Sequence, residues 1–545
     1  MKQTIKQFAL TAMSLMIAFA ALAQVTTSSM SGRVTEANGA PVAGAAVVAV
    51  HTPSGSQYYS ITDNAGNYRI QNMRVGGPYA VEVSLLGFGN MKTGNIVLKL
   101  GENYVLDVKL SEQAIALNEV VVSAGISNPI LNSDRTGASM NIGSKQLQTL
   151  PSISRSITDF TRMTPQANGT SFGGRDGRFN TITIDGAAFN NNFGLSSNAM
   201  PGGNAQPISL DAIEEVSVNL APYDVRLSQF TGASINAVTK SGDNRYKATL
   251  YTYQRPKSFT GNKVGDLEVP GANDKSAATY GLTVGGPIIK NKLFFFLSGE
   301  IEKETTPSNS WEPSVDGVSN SAAKISRTKI SDLQKVSDYV KSTFGYDAGK
   351  FQNFDNFESE NYKIMARLDW NINKNHKLTF RYNDVKSTND VLTNGSSGPS
   401  QGSNLSGRIS AQSISFQNSF YGFENTVRSF TGELNSVFGN NISNKLLVSY
   451  TKVRDKRTSP SSIFPFIDIY EGNDRYMSLG YELFSFNNDV KNNTLSITNN
   501  TTINLGSHTL TAGLSYDNLF FFNSYIREGT SFYKYNSVQD FLDNK

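Results

Sequence analysis

From Arg245 onward the chain alternates apolar and polar residues with a period of two, in segments of about ten residues. In Ile364–Ile372 the even positions are Ile364, Ala366, Leu368, Trp370 and Ile372, with Arg367, Asp369 and Asn371 between them. Met365 is the one apolar residue on the polar face. Leu378, Phe380 and Tyr382 alternate with Thr379, Arg381 and Asn383, and Leu446, Val448 and Tyr450 with Ser449 and Thr451. Leu510, Ala512, Leu514 and Tyr516 alternate with Thr509, Thr511, Ser515 and Asp517. Successive side chains of a strand point to opposite faces, so each segment predicts a strand with one apolar and one polar side.

The connections rotate between short and long. Residues 290–292, 373–375, 440–443 and 505–507 are short, whereas 303–361, 385–426 and 455–490 are long. Together they predict nine antiparallel strands, roughly 246–254, 277–286, 293–302, 362–372, 377–384, 427–438, 444–454, 493–504 and 508–519. Apolar-out, polar-in strands with this rotation are the pattern of a membrane β-barrel, short turns facing the periplasm and long loops the outside. A soluble β-sandwich shares the period of two but not the outward apolar bias. One long loop predicts a helix, with Ser331 as its cap, Leu333, Val336, Val340 and Phe344 on one face, and Gly345 at its end.

Composition narrows the class. The chain has 545 residues, 38% of them hydrophobic, and the longest apolar run past the amino terminus is Ala43–Val50, too short for a membrane-spanning helix. Net charge is +4 with no basic stripe, so no nucleic acid is expected as a partner. Without cysteine there is no disulfide, thiolate nucleophile or thiolate metal site. His51, His376 and His508 are too far apart in sequence to read as a metal pair, and neither HExxH nor GxSxG occurs. No metal site, cofactor or enzymatic activity is expected.

Residues 1–23 read as a secretory signal: Lys2 and Lys6, an apolar stretch around Phe8–Ala20, and a small-residue ending that places cleavage between Ala23 and Gln24. Residues 29–110 read as a small seven-stranded β-sandwich, with strands Met30–Thr35, Ala45–His51, Gln57–Thr62, Gly66–Ile70, Tyr79–Leu85, Gly94–Leu100 and Tyr104–Leu110. Asp63 and Asn64 supply one carboxylate, too few oxygen ligands for calcium, and read as a turn with Gly66.

The segments SGRVTEANGAPVAGAAVVAV, TDNAGNYRI and YAVEVSLLGF resemble the carboxypeptidase-regulatory-like domain, an accessory fold and not a peptidase. LNEVVVSA, formed by Leu117, Asn118, Glu119, Val120, Val121, Val122, Ser123 and Ala124, resembles a TonB box. An extended valine-rich segment can add to a partner's sheet edge through its main chain. Residues 128–241 resemble the α+β plug of a TonB-dependent receptor, on LPSISRSITDFTRMTPQ, FGGRDGRFNTITIDGAAFNNNFG and ISLDAIEEVSVNLAPYDVRLSQFTGASINAVTKSG. Gly173, Gly174 and Gly177 precede no GK[ST] and are read as turn formers, not a phosphate cradle. Arg175, Asp176, Arg178 and Asp185 are the candidates for seating the plug on a polar barrel wall.

The whole is therefore expected to be mainly β: signal, sandwich, TonB-box-like segment, plug, and an incomplete barrel over 246–545. DRTGASMNIG and APYDVRLSQFTGASINAVT most resemble the Oar-like branch; YDVRLSQFTGASINAVTK departs from the ending usual in the starch-utilisation branch. The resemblance implies a TonB-dependent outer-membrane receptor that moves a large solute, with a TonB-type energy-transducing protein and outer-membrane lipid as partners. The alternative is a structural or adhesive surface protein of the same build. By the same resemblance a barrel of about 22 strands is expected, so nine strands and an FLDNK ending read as part of a longer protein.

Overall fold

In the computed structural model, the nine expected strands form one antiparallel sheet in sequence order. The described residues are 25–112, 120–121 (backbone only), 138–152, 155–191, 203, 205–222, 224, 226–227, 230–268, 275–308, 311–395, 407–506 and 508–545. The expected signal and its expected cleavage pair, Ala23 and Gln24, lie outside them, as does Ser507 of the last short turn.

The sandwich has β1 (Ser28–Glu36), β2 (Ala46–His51), β3 (Ser56–Ile61), β4 (Asn67–Met73), β5 (Gly76–Ser84), β6 (Met91–Leu98), β7 (Asn103–Val105) and β8 (Val108–Leu110). The seventh expected strand is thus two, and both pair parallel with β1. The break at Leu106 and Asp107 arises because Leu106 turns inward: its carbonyl accepts from the Tyr68 hydroxyl at 2.7 Å and sits 1.9 Å from where a Cβ on Gly32 would lie. Only glycine admits that approach. Met30, Val34, Val47, Tyr79, Val81 and Val108 are among the side chains filling the space between the two sheets. The Asp63 carboxylate accepts from the Ala65 and Asn67 amides, as a turn requires.

A two-residue strand, β9 (Val120–Val121), adds parallel to Met91–Lys92 at the edge of the β3-β2-β5-β6 sheet. The next unit has β10 (Ala138–Gly143), α1 (Ser144–Thr149), α2 (Ile157–Thr161), β11 (Thr181–Ile184), β12 (Ala187–Ala188), β13 (Ile213–Leu220) and β14 (Ala233–Thr239), in the sheet order β10-β13-β14-β11-β12.

The large sheet follows with β15 (Lys247–Arg255), β16 (Ser276–Ile289), β17 (Leu293–Thr306), β18 (Phe357–Asn371), β19 (His376–Val391), β20 (Tyr421–Phe438), β21 (Ile442–Thr458), β22 (Asp489–Leu505) and β23 (His508–Ser524). Among the described residues β15 and β23 do not pair with each other, so the sheet is a barrel wall left open. Leu297, Ile301, Ile364, Leu368, Trp370, Phe380 and Val448 are exposed on its outer face, while Arg367, Arg381, Glu433 and Lys445 are buried on its inner face. From β16 on the strands run 14 to 18 residues, longer than the apolar alternation predicted. Past the apolar band the ladder continues and the outer face becomes charged, with cross-strand pairs Lys303–Glu360, Arg428–Asp384, Lys386–Glu424 and Arg454–Asp489.

At the end opposite the short turns, the long loops fold on one another. Ile414–Ser415, Phe466–Glu471, Asp474–Leu479 and Phe532–Tyr535 make a small sheet, with α3 (Ile330–Phe344) and α4 (Val538–Leu542) packed on it. In α3, Leu333, Val336 and Val340 are fully buried and Gly345 ends the helix at φ +66°. The start differs from expectation. Lys329, not Ser331, is the cap, and its amide donates to the Tyr476 hydroxyl. Phe344 is exposed rather than on the buried face.

Candidate functional site

The inner face of the wall carries both apolar and charged side chains toward the β10–β14 unit. Phe296, Met365, Val385, Val427 and Val453 share one hydrophobic cluster with Ile182, Ile184, Ala187, Val216 and Ile235 of that unit. Met365 breaks the alternation of β18 because its side of the strand is covered by apolar residues of the β10–β14 unit instead of water. The β10–β14 unit therefore packs against the lumen side of the wall.

Charges surround this apolar patch. Arg367 and Arg381 stand directly opposite each other on β18 and β19, an arrangement that is unfavourable for like charges. Asp185, in the tight turn between β11 and β12 at φ +50°, lies against both: its carboxylate is 3.3 Å from Arg381 Nε and 3.8 Å from Arg367 Nη1. Arg381 Nη1 also donates to the Asp185 carbonyl at 3.0 Å, and Arg367 Nη1 to the Thr239 carbonyl at 2.7 Å. The Asp185 carboxylate accepts from the Thr239 amide and hydroxyl at 2.9 and 2.7 Å, which ties the turn to β14. Asp369 and Glu433 complete the pairing of the two arginines from the wall. Gly186 faces Leu447 so closely that a Cβ would meet its Cδ2 at 2.7 Å.

The other expected seating residues sit elsewhere. Arg178 pairs with Asp176 at 3.1 Å, both exposed, and Arg175 is exposed beside them, after the turn through Gly173 and Gly174. Three further residues between β10 and β14 meet the wall that the sequence did not single out. Arg155 pairs with Asp211, lies over the Tyr253 ring at 3.9 Å and is 3.9 Å from Glu300. Ser209 donates to Glu300 at 2.8 Å, and Asn191 to Asp455 at 2.8 Å. Glu300 also takes Lys363 at 2.5 Å and the Tyr251 hydroxyl at 2.8 Å. The signal that would have found the wall side was weak, because charged residues on the inward face of barrel strands are ordinary in a polar lumen and only the fold shows which of them the β10–β14 unit covers.

Of the TonB-box-like segment, the described part is the Val120–Val121 backbone on β6; Leu117, Asn118, Glu119, Val122, Ser123 and Ala124 lie outside the described residues.

Residues 29–111 match the carboxypeptidase regulatory-like domain and residues 238–341 the outer membrane beta barrel domain. Over 422 residues the sequence is 25% identical to the TonB-dependent transporter Oar of Myxococcus xanthus, covering 72% of this chain and 36% of that protein. The chain is homologous to the TonB-dependent transporter Oar. It is an outer-membrane protein. Among solved structures it is similar to the outer membrane transporter YddB from Escherichia coli (12% identity, TM-score 0.46, 70% of this chain and 48% of that one) and the siderophore receptor PirA from Acinetobacter baumannii (17%, 0.44, 71% and 48%). The chain thus spans about a third of its curated relative and about half of these structures.

Proposed function

We propose that this chain is the receptor part of an energised outer-membrane transporter that moves a large solute past a plug. The β10–β14 unit is the plug, the short turns and the sandwich are periplasmic, the long loops face outside, and lipid contacts the outer wall. A TonB-type protein takes Leu117–Ala124 as an added strand and pulls. The observation that carries this reading is the contact of Asp185, in the β11–β12 turn, with both Arg367 and Arg381 of the wall, which joins the two units through buried charge. No catalytic step is part of the reading.

The test uses the main chain, since an added strand depends on N–H groups and extended geometry. Val121→Pro removes a donor and restricts its neighbour. It should reproduce the loss of energy-dependent uptake that deleting the protein causes, while Val121→Ala should leave uptake near wild type. If both variants behave as wild type, or if proline also prevents membrane assembly, the segment is an ordinary strand.

A structural or adhesive role is the second reading. The loop domain favours it: Leu333, Val336, Ile469, Tyr476 and Phe541 give the loops a common core, a rigid surface independent of any movement of the plug.

A further inference from the structure

The sandwich does not hang free of the barrel. Asn371 donates to the Ser56 hydroxyl at 3.0 Å and the Tyr59 hydroxyl to Asn375 at 2.8 Å. The Lys377 ammonium donates to the Gln57 carbonyl at 2.9 Å and lies 3.7 Å from the centre of the Tyr58 ring. A second turn region joins through the Asn244 amide on the Pro53 carbonyl at 2.9 Å. On the plug side, Glu215 accepts from the Leu100 amide at 2.9 Å, Asn141 donates to the Leu100 carbonyl at 3.1 Å, and Arg74 reaches the Ser241 and Gly242 carbonyls. Val75, Leu100 and Val238 form a small apolar contact there.

We propose that the sandwich is a second gate: it clamps the short-turn end of the barrel and the adjoining face of the plug, and it must lift before the plug can move. The two interfaces differ in kind. Plug and wall share an apolar cluster and several buried ion pairs, whereas the sandwich meets the rim through hydrogen bonds and two cation–π contacts, Lys377 over Tyr58 and Lys374 over Tyr59, and the plug through hydrogen bonds and three apolar side chains, the Thr26 hydroxyl just ahead of β1 adding bonds to Glu433 and Lys445. The sandwich contact is the weaker of the two and separates first under load. Load also arrives there first. The segment read as the coupling strand is paired with β6 at Val120–Val121, so a pull on it acts on the sandwich edge before it reaches β10 at Ala138. This last step rests on the function proposed above; the clamp itself does not.

The absence of native cysteine makes labelling clean. Ser56→Cys reports the clamp, since Ser56 is 6% exposed, and Asn191→Cys reports the plug–wall contact, Asn191 being 4% exposed. Each variant, made in the protein at its natural length in outer membranes, is treated with a membrane-permeant maleimide with and without an uncoupler. Without energy both should be protected. With energy both should label, Ser56→Cys no later than Asn191→Cys, and Val121→Pro should return both to the protected level. Adding Tyr59→Phe and Lys377→Ala should raise de-energised labelling of Ser56→Cys several-fold and leave Asn191→Cys protected. Labelling of Ser56→Cys without energy in the otherwise unaltered protein would overturn the clamp. Energised labelling of Asn191→Cys with Ser56→Cys still protected would refute the gate and leave the transport reading intact. Protection of both under energy would remove the coupling reading, and the gate with it.

Discussion

Two carboxylates in this chain are each held between two buried arginines, and they do different things. Asp468 takes Arg408 at 2.8 Å and Arg475 at 3.1 Å, with a further hydrogen bond from Ser478, all within the loop domain. Asp185 takes Arg381 and Arg367, but the arginines belong to the wall and the carboxylate to the β10–β14 unit. The chemistry is shared and the connectivity is not. Around Asp468, Ile467, Ile469 and Tyr476 belong to one core, so the ions can separate only if that core unfolds. At Asp185, sliding one packed unit past another is enough. A buried ion pair is a staple when its members belong to one folded unit and a releasable contact when they join two units across a shared face.

The comparison can be broken most forcefully at Asp468. Asp468→Ala leaves two arginines buried without their carboxylate and should destabilise the loop domain by about 3–5 kcal/mol. Limited proteolysis should then cut within 307–356, 392–420 and 459–488 while the wall strands stay protected; uncut loops would show that the pair is no staple. Asp185→Ala should cost less, about 2–3 kcal/mol, because Arg367 keeps Asp369 and Arg381 keeps Glu433. Its effect belongs to seating: less urea should be needed before conductance appears in planar bilayers, with no change in protease cleavage of the loops. Equal effects of the two variants on both readouts would erase the distinction.

The smallest effect sharpens the contrast at the sandwich side of the plug. Burial raises the Glu215 carboxyl to about 7, nearby Glu102 and Glu214 push it further up, and the Leu100 amide and Lys99 oppose the rise. A carboxyl raised on folding contributes stability that is full below its unfolded value of 4.5 and is lost as pH climbs through 7. The plug–sandwich contact should therefore weaken between about pH 5 and 8. Glu215→Gln should flatten that dependence and add about 1–2 kcal/mol at pH 8. An unchanged pH profile of Ser56→Cys labelling in Glu215→Gln would show that this carboxyl does not govern the contact.

Residue by residue, the readable part of the sequence is local. Alternation in Ile364–Ile372 and Leu510–Tyr516 located wall strands because each position needs only to know which side of the sheet it faces. Met365 stood out as an exception, and its reason lay in plug residues such as Ile182 and Ile235, far away in sequence. Asp185 was singled out with Arg175, Asp176 and Arg178, and only the fold separates it from them: a turn puts it against the wall while the other three stay in an exposed loop.

By itself the sequence determined the strand period, the rotation of short turns and long loops, the sandwich, and which face of each wall strand is polar, because these follow from side chains meeting water, apolar surroundings or a turn within a few residues. Tertiary structure alone decided that Arg367 and Arg381 share Asp185, that β9 lies on β6, that the sandwich clamps the rim through Ser56, Tyr59 and Lys377, and that three long loops close over one core. Each of those joins residues tens to hundreds of positions apart. Charge pairing and strand addition have no sequence period to betray them, and depend on which surfaces the whole chain brings within a few ångström.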